Sequence, residues 1–309
     1  MFLGIEIGGT KLQLGLGEGD GTIVQLWRGT VDPKLGGAGI RADILRNYAG
    51  LVRSAGLKHS DILGIGVGFG GPTDDATQST ITSHQIEGWD NFPLAGFLHE
   101  NLGAPAVICN DADVAGLAEA HFGAGKGLSP IFYITVGTGI GGGLIIDGKI
   151  YRGVGRGAAE IGHVRPVYPA PSCERPLILE GYASGTALHY WRLERLNLEI
   201  FPDVPDGEFV VKRARKGEPE AIATLDAAAQ ALAEGICTVV KLLCPRRVII
   251  GGGVSLMGDD LFFEPIRQYV VERGFKPFAG LTDIVPAALG EEVVVHGALA
   301  LARQHFAGT

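Results

Sequence analysis

The 309 residues carry 26 Lys and Arg against 34 Asp and Glu, and the resulting net charge of −8 argues against a nucleic-acid partner. Four cysteines (Cys109, Cys173, Cys237 and Cys244) form no CxxC pair, which fits reduced thiols in a cytoplasm better than a disulfide framework. The start MFLGIEIGGTK has no basic leader region and no apolar run reads as bilayer-spanning, so the expectation is a cytoplasmic protein without a membrane partner, long enough for two domains.

Residues 2–7, 12–16 and 22–27 alternate or run apolar between glycine-rich breaks and predict three strands, with a hairpin turn at GDG, residues 19–21. Ile40, Ile44, Leu45, Tyr48, Leu51 and Val52 fall at helical spacing over residues 40–54. Strands are predicted at 62–69 and 106–109, followed by a helix over NDADVAGLAEAHFG that Asn110 or Asp111 caps and Gly123 ends. A strand at 131–136 then breaks at GTGIGGG, resumes at 144–146 and turns through DGK into 150–151. This repeats the order of the first thirty residues (strand, Gly/Thr turn, strand, Asp-Gly turn, strand) and suggests an internal duplication. The last third reads as helix 221–243, strand 247–250, the turn GGGVS, helix 260–272 and a terminal helix over 291–305.

Two of these turns could hold phosphate: Gly8, Gly9, Thr10 and Lys11, and Gly137, Thr138 and Gly139. Glycines let backbone N–H groups converge on an anion and a Thr hydroxyl adds a donor, although either turn alone reads equally as a plain β-turn. A P-loop is excluded, because neither Lys11 nor Lys126 stands in a Gly-Lys-Ser/Thr run. Gly137-x-Gly139-x-x-Gly142 with Glu160 about twenty residues on satisfies the dinucleotide fingerprint, but that site requires a helix after the glycines, and GLIIDGKIY predicts a strand. An NAD-dependent dehydrogenase is therefore a weak alternative.

GIEIGGTK, NDADVAGLAE, VGTGIGGGLIIDGKIYRG, AEIGH, LEGYASG and GGGVS occur in the order and spacing of the ROK family of repressors, open reading frames and kinases, and the resemblance covers nearly the whole chain. It implies an α/β fold of two ribonuclease H-like (actin-like ATPase) lobes around a central cleft, with residues 1–112 and 293–309 in one lobe and 113–292 in the other. It implies ATP, Mg²⁺ and a hexose as partners, and a homodimer. The repressors carry a helix-turn-helix domain ahead of the first motif; here that motif begins at Gly4, so the chain resembles the kinases. Asp111 matches the catalytic base, although taken alone it reads as a helix cap. Asn110, Gly71, Glu160, His163 and Glu180 match sugar contacts, where carboxylates accept from hydroxyls and an imidazole donates or accepts. Gly252 and Gly253 of GGGVS match the adenosine-binding turn, and Trp89 is expected to be packing. Two positions depart from the pattern. Asp113 stands where the family often has Asn. Glu6 replaces an Asp that would help hold hydrated Mg²⁺, and its carboxylate reaches roughly 1.5 Å farther.

The family usually places a structural zinc on the His of the GH pair and three cysteines. Anchored on Leu179 and Glu180, those cysteines fall at Pro171, Cys173 and Ile178, while Glu174 and Leu177 replace glycines of the run. Structural zinc takes four ligands, and His163 with Cys173 supplies two, so zinc is predicted absent and packing is expected to hold the loop. The leading expectation is an ATP-dependent hexose kinase acting on a primary hydroxyl. The alternative is a non-catalytic sugar-binding protein on the same fold.

Overall fold

The structure, a computed structural model, describes residues 1–83, 85–167, 178–189 and 206–308. The first sheet contains β1 (Phe2–Ile7), β2 (Lys11–Gly17), β3 (Gln25–Thr30), β4 (Gly64–Phe69) and, beyond the short pair β5 (Thr73–Asp74) and β6 (Ser79–Thr80), β7 (Ala106–Asn110). Its order is β3-β2-β1-β4-β7: a meander from β1 to β3, then β4 and β7 parallel to β1. Parallel neighbours need crossover connections, which carry α1 (Gly36–Ser54) and α2 (Leu94–Leu102). Both bury an apolar stripe, Ile40, Ile44, Tyr48 and Leu51 on α1 and Leu94 and Leu98 on α2, in the cluster that contains Ile5, Leu14 and Val67 of the sheet.

The second sheet contains β8 (Ile131–Val136), β9 (Ile140–Ile146), β10 (Lys149–Ile150), β11 (Arg247–Gly251) and β12 (Asp283–Pro286) in the order β10-β9-β8-β11-β12. Position by position this is the order of the first sheet, and β11 again runs parallel to the meander strand β8 and to β12. The duplication suggested by two similar Gly/Thr turns therefore extends to the whole sheet.

Further helices are α3 (Asp111–Phe122), α4 (Glu180–Ala183), α5 (Asp206–Arg215), α6 (Pro219–Leu243), α7 (Glu264–Arg273) and α8 (Val293–Phe306). Alternate glycines of β4 explain how α8 covers that strand. A Cβ on Gly64, Gly66 or Gly68 would fall 2.2–2.4 Å from Phe306 or Val294 side-chain atoms, or 1.9 Å from the Ala298 carbonyl oxygen. The chain separates into two compact units, Met1–Gly127 with Gly143–Ala158 and Ala288–Thr309, and Leu128–Gly142 with Ala159–Ala287. The expected division at residue 112 differs from this. α3 packs on α8 and β4 and β10 packs on α3, so 113–127, 143–158 and 288–292 lie with the first unit.

Four local readings are corrected. The third strand starts at Gln25 rather than residue 22, because the Thr22 N–H donates to Asp20 Oδ1 (3.0 Å) and Val24 to the Leu16 carbonyl (2.7 Å), which prolongs the turn. Strand β9 resumes at Ile140 and takes Gly141–143 with it; a Cβ on Gly142 would lie 2.2 Å from the Ala159 carbonyl oxygen, so the glycines permit close backbone approach. The helix expected over 260–272 begins as a π-turn, Asp259–Phe263, and becomes α-helical at Glu264, where Pro265 tolerates the first turn. By length and composition α6 is apolar enough to cross a membrane, contrary to the sequence reading, yet its apolar window is 67% buried in the fold among α4, α5 and α7. Among the described cysteines Cys109, Cys237 and Cys244 are free thiols.

Candidate active site

In the first unit the predicted residues gather where three parallel strands end, the side on which open α/β sheets bind ligands. Glu6 lies near the end of β1, Gly71 follows β4, and Asn110 ends β7. The Gly70 N–H donates to the Ile7 carbonyl (2.8 Å) and Asn110 Nδ2 to the Gly71 carbonyl (3.2 Å), tying the three ends together. Asn110 also caps α3: its Oδ1 accepts from the Ala112 N–H at 2.9 Å, while Asp111 Oδ1 accepts from the same group at 2.8 Å. The two capping candidates thus share one donor.

Glu6 is held by Gln13, a buried residue on β2 whose Nε2 donates to Glu6 Oε2 (2.8 Å) and to the Glu291 carbonyl (3.1 Å). Arg28 donates to Gln13 Oε1 (3.4 Å) and pairs with Glu292. Burial pushes the Glu6 carboxyl up to about 7; Lys11 pulls it down, the Asp111 charge raises it, the Gln13 hydrogen bond lowers it and Glu291 raises it slightly. The Gly8–Lys11 turn is closed by the Gly8 N–H on the Lys11 carbonyl (2.9 Å), and Lys11 Nζ stands 3.6 Å from Glu291. The Gln85 amide oxygen lies so close over Gly9 that a Cβ there would overlap it.

The charge at Asp113 has a partner that the sequence pattern does not single out. Asp113 is 2% exposed and its Oδ2 accepts from Arg152 Nη1 at 2.5 Å. The same guanidinium makes a forked contact with Asp75 (2.8–3.2 Å) and donates to Thr73 Oγ1 (2.9 Å). Burial works against the Arg152 charge, but the hydrogen bonds to Asp75 and the neighbouring negative groups outweigh it and raise its proton affinity. A carboxylate in an otherwise apolar helix segment is the signal for such a cation, though nothing local says where in the chain it comes from. Trp89 is packing: 1% exposed, it stands edge-on to Phe69 and Phe92.

In the second unit, Gly137–Gly139 follow β8 and Gly252 and Gly253 follow β11, again at parallel strand ends. Gly252 takes φ +85 against Val136, whose backbone a Cβ would meet at 2.5–2.7 Å, so glycine is required for both conformation and space. Strand β9 follows Gly139, so the dinucleotide fingerprint lacks its helix and the dehydrogenase alternative falls. Glu160 and His163 flank a short turn, with His163 Nδ1 3.9 Å from Glu160 Oε2 and side chains 65% and 55% exposed for His and Glu. What orients this imidazole was left open by the sequence; among the described residues the Glu160 carboxylate stands beside it. Glu180 Oε2 accepts from the Ile140 N–H at 2.8 Å. Pro171, Cys173, Glu174 and Leu177, on which the zinc prediction turned, lie outside the described residues.

These strand-end residues sit in the motifs that carry the sequence resemblance, and similar proteins share the whole architecture. A glucokinase of Streptomyces coelicolor is 32% identical over 98% of both chains. Among solved structures, a ROK hexokinase of Thermus thermophilus superposes with a TM-score of 0.83 at 28% identity over 100% of this chain and 99% of that one. A ROK family glucokinase of Streptomyces griseus, solved with glucose and AMPPNP, gives 0.81 at 32% identity over 98% and 99%. The ROK family model matches residues 2–305, and an α/β chain with its motifs in order at the ends of two like-ordered sheets belongs to the ROK family.

Proposed function

We propose that the protein is a cytoplasmic ATP-dependent hexose kinase that transfers the γ-phosphoryl group to the primary 6-hydroxyl of glucose or an N-acylated hexosamine. The observation that carries the reading is the cluster at the ends of β1, β4 and β7: a carboxylate at the start of α3 beside a second, half-buried carboxylate, with Asn110 and Gly71 adjoining. The glucose and AMPPNP complex of the Streptomyces griseus relative supports the substrate classes.

Asp111 accepts the proton of the sugar hydroxyl as its oxygen bonds to the γ-phosphorus and the bond to the ADP oxygen breaks. Positioning and charge neutralisation supply most of the acceleration in such transfers. Asn110, Glu160, His163 and Glu180 hold sugar hydroxyls, and sugars that leave one of these groups unpaired bind less well. The Gly8–Lys11 and Gly137–Gly139 turns receive phosphate, and Gly252 with Gly253 the adenosine. Glu6 fits a hydrated Mg²⁺: a half-buried carboxylate near the Asp111 and Glu291 charges is the setting a divalent cation would relieve. When bound, the ion neutralises charge on the phosphate oxygens. An ADP-release assay over glucose, N-acetylmannosamine and fructose tests the reading. Saturable sugar binding without ADP release from any of them would replace it with a sugar-binding protein.

Glu6 gives a second test. Its folded value of about 7 exceeds the ordinary 4.5, so between these pH values the folded state holds a proton that the unfolded chain releases. The contribution is therefore complete below pH 4.5 and is lost as pH rises through 7, about 3 kcal/mol. Urea unfolding without nucleotide should show this decline in the wild type and lack it in Glu6→Gln, whose stability at pH 8 relative to pH 4.5 should exceed the wild type's. Glu6→Ala should lower turnover far more than sugar affinity; unchanged turnover would remove Glu6 from the ion's site.

A further inference from the structure

The segment that begins with Glu180 is laced to the Gly137–Ile140 turn at three points within the second unit. The Gly185 N–H donates to the Gly137 carbonyl (2.7 Å). Thr186 donates twice to the Thr138 carbonyl, through Oγ1 (2.8 Å) and through its N–H (3.4 Å). Glu180 Oε2 accepts from the Ile140 N–H (2.8 Å). Two glycines make the approach possible. A Cβ on Gly139 would lie 2.5 Å from Glu180 Oε2, and one on Gly185 would lie 3.0 Å from the Gly137 carbonyl oxygen. Every residue of the turn except Gly139 is thus fixed from the Glu180–Thr186 side, while the turn's own closure is a Gly137 N–H to Gly139 carbonyl bond of 2.9 Å.

From this we infer that Thr186 and Glu180 are positioning residues for the phosphate turn, and that through them sugar and nucleotide bind with positive coupling. The inference rests on the kinase reading above, in which Glu180 also accepts a sugar hydroxyl. A carboxylate has two oxygens. With Oε2 committed to Ile140, Oε1 is the atom for the sugar, so one side chain bridges the sugar pocket and the backbone that receives phosphate. Whichever ligand arrives first orders Glu180 and the segment that carries Thr186, and the second then loses less conformational freedom on binding. Thr186 touches neither ligand in this scheme. Its hydroxyl acts only by holding the Thr138 carbonyl, and with it the direction of the turn.

The experiment measures AMPPNP–Mg²⁺ affinity by calorimetry with and without the hexose that supports ADP release. In the wild type, saturating sugar should tighten nucleotide binding about fivefold or more. Thr186→Val keeps the side-chain shape and removes the hydroxyl. It should bring that tightening below about twofold and raise the KM for ATP, with sugar affinity in the absence of nucleotide unchanged. Thr186→Ser keeps the donor and should behave as the wild type, which a merely structural effect of losing the threonine methyl would not produce. Full coupling in Thr186→Val, or no coupling in the wild type, overturns the inference and leaves the kinase reading standing. A wild-type protein that binds no hexose and no nucleotide overturns both.

Discussion

Asp111→Asn is expected to lower turnover by about 10²- to 10⁴-fold, the range over which a positioned general base contributes. The substitution retains size and polarity, so the loss should appear in kcat and leave sugar affinity nearly unchanged. Stability should also be retained, because the Ala112 N–H that Asp111 Oδ1 accepts has a second acceptor in Asn110 Oδ1 at 2.9 Å, and α3 keeps its cap. Single-turnover ADP release, with a thermal melt beside it, separates the two effects. A loss under tenfold would assign the proton to another group. The variant has an independent signature: the Asp111 charge helps raise the Glu6 carboxyl, so the midpoint near pH 7 should move down when that charge is removed.

Arg152→Met is expected to destabilise the first unit by about 3–5 kcal/mol, the cost of leaving a buried carboxylate without its partner. Asp113 is 2% exposed and Asp75 33%, and Arg152 is the cation that both contact. Met keeps the apolar stem of the side chain and removes the guanidinium, which makes all the contacts to Asp113, Asp75 and Thr73, so the lost charge and hydrogen bonds dominate. Adding Asp113→Asn should recover the larger part of the loss, since the more deeply buried of the two charges is then gone. Urea unfolding of the single and double variants measures this. A single variant within about 1 kcal/mol of the wild type would mean that the cluster contributes little. Because Asp113 and Asp111 share the first turn of α3, the single variant should also lose activity before it unfolds.

Much of the molecule was legible in the chain itself. The strands 2–7 and 131–136 and the span of α3 follow from alternation, Gly-rich turns and a cap, all of which act over a few residues. Where such local rules misplaced an element, a contact with another part of the chain had intervened: the glycines of β9 read as a break, yet they lie in the strand because backbone passes close by. The site divides in the same way. Asp111, Glu6 and the two Gly/Thr turns proposed to receive phosphate were marked by motif and spacing. The Arg152 contacts to Asp113 and Asp75 join residues 39 and 77 positions apart, and the Glu180 bond to Ile140 spans 40. No periodicity encodes a pairing at such separations. The sequence by itself determined which residue types stand at the strand ends and suggested that the β-meander occurs twice. The tertiary structure alone decided which carboxylate meets which cation, how the Glu180 segment holds the Gly137–Ile140 turn, and which unit the 143–158 segment joins. Those outcomes depend on burial and on desolvated hydrogen bonds that exist only once distant segments pack together.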